Sequence, residues 1–416
     1  MSNFQPETIA YLRSPAAIRE RCDRIFNLGC EDKLPNFRVD LTQLDKCADY
    51  VIQIMRDNYP TLEIPFHSRW QHFEVGNVSR LAELDVILAE FSPLEKAKVK
   101  FDLAITSVLL DAGAGADWQY HEQETGQVFH RSEGLAVASF RMFCQGVFSS
   151  NPKSQLQADA LGLQNLTEKA LLQGFQVSET NPLVGLEGRL KLLQRLGQVL
   201  SQQATFFGSE KPRPGNLVNY LLDKGNNQLS ASTVLNAVLE GLGEIWPGRL
   251  AIAGVNLGDV WIHSALGGEN ESDRYVPFHK LSQWLTYSLL EPLQELDLEI
   301  TGLDDLTGLP EYRNGGLCLD IGLLQVKEPD ILHKLHQVDS EVIVEWRALT
   351  VSLLDKIAAT IRKKLSLVDR RFIAPAELPL VKVLQGGTWS AGRRIAAELR
   401  QSGVPPIQIQ SDGTVF

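Results

Sequence analysis

Glu311 is the carboxylate in this chain best suited to proton chemistry. It follows Pro310, which fixes its approach, and Gly308, Gly315 and Gly316 let a backbone come close to a ligand. A partly desolvated glutamate holds or releases a proton near neutral pH and can stabilise positive charge on a sugar ring. The surrounding stretch LTGLPEYRNGGLCLDIGLL, residues 306–324, carries Glu311, Tyr312, Arg313, Asn314 and Asp320 among glycines and aliphatics. An exposed loop and a substrate-binding turn both fit that pattern.

Other stretches also set polar groups among apolar or aromatic ones. In VPFHKLSQWLTYS, residues 276–288, Lys280 stands beside His279 in an aromatic-rich run. It is a snorkelling lysine or a point-charge ligand for phosphate. In PFHSRWQHFE, residues 65–74, His67 and Arg69 can grip an anion, and Trp70 is a stacking wall or a core residue. LLDAGAGADWQYHE supplies Asp111, Asp117 and Trp118. In SEVIVEWRALT, Glu345 lies four residues before Leu349, at the head of a buried stripe, where a carboxylate needs a partner. That partner is Arg313 or Arg347 in a structural reading. In a functional one, Glu345 holds ribose hydroxyls or orients Arg313.

The elements that must position these groups are mostly helical. Helices are expected over 92–110 with Ser92 as cap, 132–147, 185–206, 230–245 with Pro247 ending it, 276–296 and 341–365. In the last of these Leu349, Leu353, Ile357 and Ile361 recur every fourth residue. Residues 61–64 and 381–384 are β-prone. Thr388 is expected to cap a helix through Arg400, with Ser-Gly closing it before a short strand over 407–410. The fold class expected is mainly α: one large helical domain over 1–416 with small β pieces. A division near residue 210, at KPRPGN, is the alternative, and residues 366–416 form a C-terminal helix and strand on the core.

Composition removes several functions. A net charge of −11 argues against broad nucleic-acid binding, which needs a basic face. No apolar run is long enough for a membrane span. Five cysteines without a CxxC, and no secretory signal, point to free thiols in a cytoplasmic setting. DAGAGADW fails the dinucleotide spacing and reads as a helix-ending glycine turn. No HExxH or GxSxG occurs, and His67 and His72 do not share a helix face, so no metal site is expected.

Taken together, VPFHKLSQWLTYSLLEP, LTGLPEYRNGG, VEWRALTVSLLD, PFHSRWQHFE and the terminal SDGTVF resemble the family of the fungal uracil-catabolism cluster's fourth protein, along nearly the whole chain. That resemblance implies a pathway that makes uridine monophosphate, opens its pyrimidine ring and ends with urea and a sugar. A cyclohydrolase-like protein is the implied pathway partner. RSEGLAVASFRMFCQGVFSSNP, LTGLPEYRNGGLCLDIGLL and SEVIVEWRALTVSLLDKI also resemble, more distantly, the queuosine-salvage nucleotide glycohydrolases. This second resemblance implies a DNA-glycosylase-like helical architecture. It sets Glu311 in the place of a catalytic aspartate, Tyr312 and Arg313 in the next two positions, and Lys280 on a lysine of the preceding aromatic helix. Here Asn-Gly-Gly follows the triplet, where that family has Val-Pro-Gln.

The function implied is an N-glycosidase that hydrolyses the C1′–N bond of ribosylurea 5′-phosphate. Glu311 would stabilise the oxocarbenium ion and activate water, and Asp111 or Asp117 would bind ribose hydroxyls or assist urea. Arg313, Tyr312 and Glu345 would hold the site, Lys280, His279 and Arg69, with His67, would bind phosphate, and Trp118 or Trp284 would wall the urea. No cofactor, metal, nucleic acid or membrane enters this expectation. The rivals are a non-catalytic partner of the cyclohydrolase-like protein and a metal-dependent amidohydrolase that attacks the ureido group with His67, His72, His121 and an aspartate.

Overall fold

The computed structural model describes residues 4–111, 113–115, 117–225, 227–246, 248–369, 374, 376–400 and 403–410. The chain is mainly helical, and its strands are two or three residues long, set in two-stranded pairs. No helix among the described residues is long and apolar enough to cross a membrane. The described residues form two compact units. One gathers 4–67, 248–283 and 302–410, and the other 68–246 and 284–301. KPRPGN lies inside the second unit and does not divide the chain. There Arg213 donates to Asp102 and Glu95, and the Gly215 amide donates to Asp102 at 2.6 Å, which staples this stretch to the helix Pro93–Leu109.

In the first unit, the helix Glu341–Asp369 runs past the expected end at Leu365. Leu349, Leu353, Ile357 and Ile361 are fully buried, as their four-residue spacing predicts. Residues 306–311 are buried as well, which removes the exposed-loop reading. Close approach explains one of their glycines and one in the helix that follows: a Cβ at Gly308 would lie 2.7 Å from Leu354, and one at Gly315 would lie 2.7 Å from the Trp346 indole. The indole also donates to the Gly315 carbonyl at 3.0 Å.

Residues 381–384 depart from their β propensity. Leu380–Val383 is helical, and Leu384–Thr388 is a π-helical turn that continues into the helix Trp389–Leu399. Val381, Val383 and Leu384 are fully buried, so tertiary burial decided their conformation. Thr388 therefore has helical dihedrals, and its side chain makes no capping bond. The C-terminal strand is Gln408–Gln410, parallel to Leu335–Gln337. Residues 401–402, with the expected Ser-Gly stop, and the terminal SDGTVF lie outside the described residues.

In the second unit, the Ser92 hydroxyl accepts from the Glu95 amide and Pro93 takes the first helical position, as expected. Ser230 likewise caps the helix Ala231–Gly241; Pro247 lies outside the described residues. The helix Arg131–Cys144 is buried on all faces from Gly134 to Phe143. In the first unit, the helix expected from 276 begins instead at Lys280, because Tyr275–Pro277 forms a strand paired with Val260–Ile262. His279, at φ +47°, makes the turn between them.

Gly392 sets the distance between two helices of the first unit, since a Cβ there would lie 2.2 Å from the Arg313 carbonyl oxygen. We expect Gly392→Ala to destabilise the protein by about 1–3 kcal/mol. Urea titration should show a lower midpoint at an unchanged slope.

Candidate functional site

Glu311 is the N-cap of the helix Tyr312–Asp320. Its two carboxylate oxygens accept from the Arg313 and Asn314 amides, each at 2.6 Å. The approach to this cap is held from both sides. Asn314 Nδ2 donates to the Leu309 carbonyl at 3.0 Å, and the Thr307 amide donates to Gln283 Oε1 at 2.8 Å. Burial raises the Glu311 carboxyl above its ordinary value, although the two amides and the charges of Lys280 and Arg313 pull it back. The result is a desolvated, oriented carboxylate with an elevated proton affinity. Arg313 is buried, donates to the Gly403 carbonyl at 2.9 Å and lies over the half-buried Tyr312 ring.

Lys280 is half-buried at the first position of its helix, and its amide donates to Asp259 at 3.0 Å. His279 cannot join it as a phosphate ligand in this arrangement. Its ring is buried and its Nε2 is 2.9 Å from the Leu12 carbonyl. Burial lowers its proton affinity, so it is a neutral donor that fixes the turn.

Asp259 is a residue of the first unit that sequence reasoning missed. It accepts both terminal nitrogens of Arg347, at 2.8 and 2.7 Å, and the Trp261 indole N–H at 2.6 Å. Arg347 in turn lies 4.1 Å over the Phe278 ring. Burial opposes ionisation of Asp259, yet Arg347 holds the carboxyl far below the usual carboxylate range. Nothing in GVNLGDVW marks this aspartate, because its partner is 88 positions away.

Glu345 pairs with neither Arg313 nor Arg347. It is fully buried and accepts the amides of Asn36 and Phe37, at 3.2 and 2.8 Å, and Asn36 Nδ2 at 3.0 Å. His263 Nε2 stands 3.3 Å away. Arg347, two residues on, projects from a different face of the helix and reaches Asp259. Glu345 is thus consumed in fixing the strand Phe37–Val39. His67 is also committed, with Nδ1 2.8 Å from Gln385 and its ring against Trp389.

The remaining predicted residues belong to the second unit. Arg69 has no exposed surface and pairs with Asp111 at 3.2 Å. Asp117 is exposed. Trp118 is fully buried and donates to the Phe175 carbonyl at 3.0 Å, which makes it a core residue. Trp284 is buried edge-on to His72. Among the described residues, no group of three or more His, Cys, Asp or Glu side chains is arranged to hold a metal. The five cysteines are unpaired.

The second unit also contains an acid that the sequence did not single out. Glu291 accepts from the Ser68 hydroxyl at 2.6 Å, and burial, aided by Glu295 and opposed by Ser68 and Lys100, pushes it up to about 7.

Fold and site together define a mainly helical protein with an oriented, desolvated glutamate at a helix N-terminus. The family profile described as "Protein of unknown function (DUF1688)" matches residues 11–416, and the chain belongs to that family. It is 40% identical to "Uracil catabolism protein 4" of Lachancea kluyveri over 443 aligned positions, covering 98% of this chain and 99% of that protein. It is 41% identical to "Protein urg3" of Schizosaccharomyces pombe, with 99% of both chains covered. The family resemblance carried by the quoted motifs thus extends along the whole chain.

Two predictions follow from the half-buried acids Asp259 and Glu291. A carboxylate with a depressed folded pKa contributes stability above its unfolded value, near ~3.9, that is lost as pH falls further. Asp259→Asn should therefore cost about 3–5 kcal/mol at pH 7, by leaving Arg347 buried without its counter-charge, and should flatten the loss of stability below about pH 4. Chemical denaturation across pH measures both. Glu291 has the opposite sign, because its raised pKa makes the ionised form a cost above about pH 7 that vanishes at low pH. Glu291→Gln should raise the melting midpoint at pH 8 and give no gain at pH 4; an equal change at both would exclude the proton linkage.

Proposed function

We propose that this protein is an enzyme of uracil catabolism, a hydrolase that cleaves the C1′–N bond of a ribosylurea-type nucleotide. Ribosylurea 5′-phosphate and water would give urea and ribose 5-phosphate. The pathway assignment is supported by full-length similarity to the Lachancea kluyveri protein of that name. The chemistry is supported above all by one observation: the Glu311 carboxylate is buried, aimed by two backbone amides, and raised in proton affinity by that burial.

In this reading the C1′–N bond lengthens first and the ribose ring takes on oxocarbenium character. Ionised Glu311 stabilises that charge and removes a proton from the attacking water. The departing nitrogen is protonated as urea leaves. Lys280, whose charge acts on Glu311, is the phosphate ligand in this scheme. Arg313 and Tyr312 brace the helix that carries the glutamate. A DNA-glycosylase-like helical architecture belongs to the same proposal.

The test is a mass-spectrometric time course of the purified protein with synthetic ribosylurea 5′-phosphate, with uridine monophosphate as control. Urea and ribose 5-phosphate are expected from the first substrate alone. Glu311→Gln should lower kcat by roughly 10²–10⁴-fold, with a native circular dichroism spectrum. Activity should rise with pH along a limb displaced above the ordinary glutamate range, because Glu311 acts ionised and its pKa is raised. Full turnover by folded Glu311→Gln would remove Glu311 from the chemistry. An inactive native protein that co-purifies with a cyclohydrolase-like enzyme would favour a partner role.

A further inference from the structure

Gln283 and Thr307 are fully buried in the first unit and pair with each other. The Thr307 amide donates to Gln283 Oε1 at 2.8 Å. Gln283 Nε2 donates to Thr307 Oγ1 at 2.8 Å and to the Phe278 carbonyl at 3.0 Å. One side-chain amide thus uses its carbonyl and both of its N–H groups. A glutamate there could accept but not donate, and a methionine of similar length could do neither.

The pair joins the two groups to which chemistry is assigned above. Gln283 lies three residues after Lys280, on the next turn of the same helix, whose first amide is held by Asp259 at 3.0 Å. Thr307 lies four residues before Glu311. The chain between Thr307 and Glu311 is clamped in turn. Gly308 packs so closely that a Cβ there would lie 2.7 Å from Leu354. The Leu309 carbonyl accepts from Asn314 Nδ2 at 3.0 Å and from the Glu311 amide at 2.9 Å. The positions of Lys280 and Glu311 are therefore linked through a short run of buried hydrogen bonds. The Lys280 charge also acts on Glu311. With Lys280 on the phosphate and Glu311 at C1′, their spacing has to match the span of the ribose between those two points. Binding energy gained at the phosphate reaches the reacting bond only when that spacing is held.

We propose that Gln283 is a positioning and specificity residue. Its pairing with Thr307 sets the distance of Lys280 from Glu311, and with it the preference for a 5′-phosphorylated ribosyl substrate over the unphosphorylated form. The kinetic consequence rests on the proposed roles of Glu311 and Lys280, whereas the coupling between them is measured without turnover.

The test uses the full-length protein. The Glu311 carboxyl is titrated by carbon-13 NMR, its signal assigned by its loss in Glu311→Gln. Removing the charge with Lys280→Met should raise the Glu311 midpoint by about 1 pH unit, and by no more than about half of that when Gln283→Met is also present. Arg313, the other charge that favours ionised Glu311, is unchanged throughout. The ratio of kcat/KM for ribosylurea 5′-phosphate to that for ribosylurea should fall about tenfold in Gln283→Met. A merely loosened fold would slow both substrates alike and leave the ratio unchanged. Thr307→Val should reproduce both effects in part, and Thr307→Ser, which keeps the hydroxyl, should restore both. If Gln283→Met does not fold, the two Thr307 variants decide. An undiminished response to Lys280→Met, or an unchanged substrate ratio, would overturn the proposal. If the native protein turns over neither substrate, the proposed function fails and the titration alone decides the role of Gln283.

Discussion

The ion pair of half-buried Asp259 with buried Arg347 is the interaction around which the first unit is arranged. One carboxylate accepts from both terminal guanidinium nitrogens, an indole N–H and the first amide of the helix that starts at Lys280. Its own backbone carbonyl accepts the Phe278 amide at 2.9 Å. A guanidinium as buried as that of Arg347 is tolerable only when paired and hydrogen-bonded. Satisfying it fixes three things at once: the register of Val260–Ile262 on Tyr275–Pro277, the turn at His279, and the rotation of the long helix carrying Arg347. Lys280 owes its position to that set of bonds, and Gln283, one turn later, holds the segment leading to Glu311.

The second unit applies the same device to its loops. Arg189 donates to the Leu110, Gly113 and Val184 carbonyls and so ties down the glycine-rich stretch after the helix Pro93–Leu109. Arg80 donates to the Phe73 and Val75 carbonyls and to Glu122. Arginine suits this work because its planar fork can satisfy several carbonyls from one buried side chain. Arg69, also wholly buried, donates to Ser107 and pairs with Asp111.

Glu311 combines two roles that compete for one carboxylate. As a helix cap it is stabilised in its ionised form by two amides, and as a buried acid it is penalised in that form. Burial wins, so the group retains a high proton affinity while remaining oriented. A glutamate serving as a solvent-exposed cap would gain from the amides without the penalty and would be a weak base.

The sequence by itself determined the local features. Ser92 with Pro93 and Ser230 marked helix starts, and the four-residue spacing from Leu349 to Ile361 marked a buried helix face. These signals are local because capping and periodicity need only neighbours along the chain. The motifs around Glu311 and Lys280 were legible for the same reason, as was the presence of a buried Glu345 in need of a partner. Tertiary structure decided the partners. Glu345 found Asn36, Phe37 and His263 rather than an arginine. Val381–Leu384 became helical because burial outweighed β propensity, and Trp118 was spent on the core. Asp259 had no signature at all. Its ionisation and its role come from Arg347, far away in sequence, and electrostatic partnership depends on distance in space rather than position along the chain.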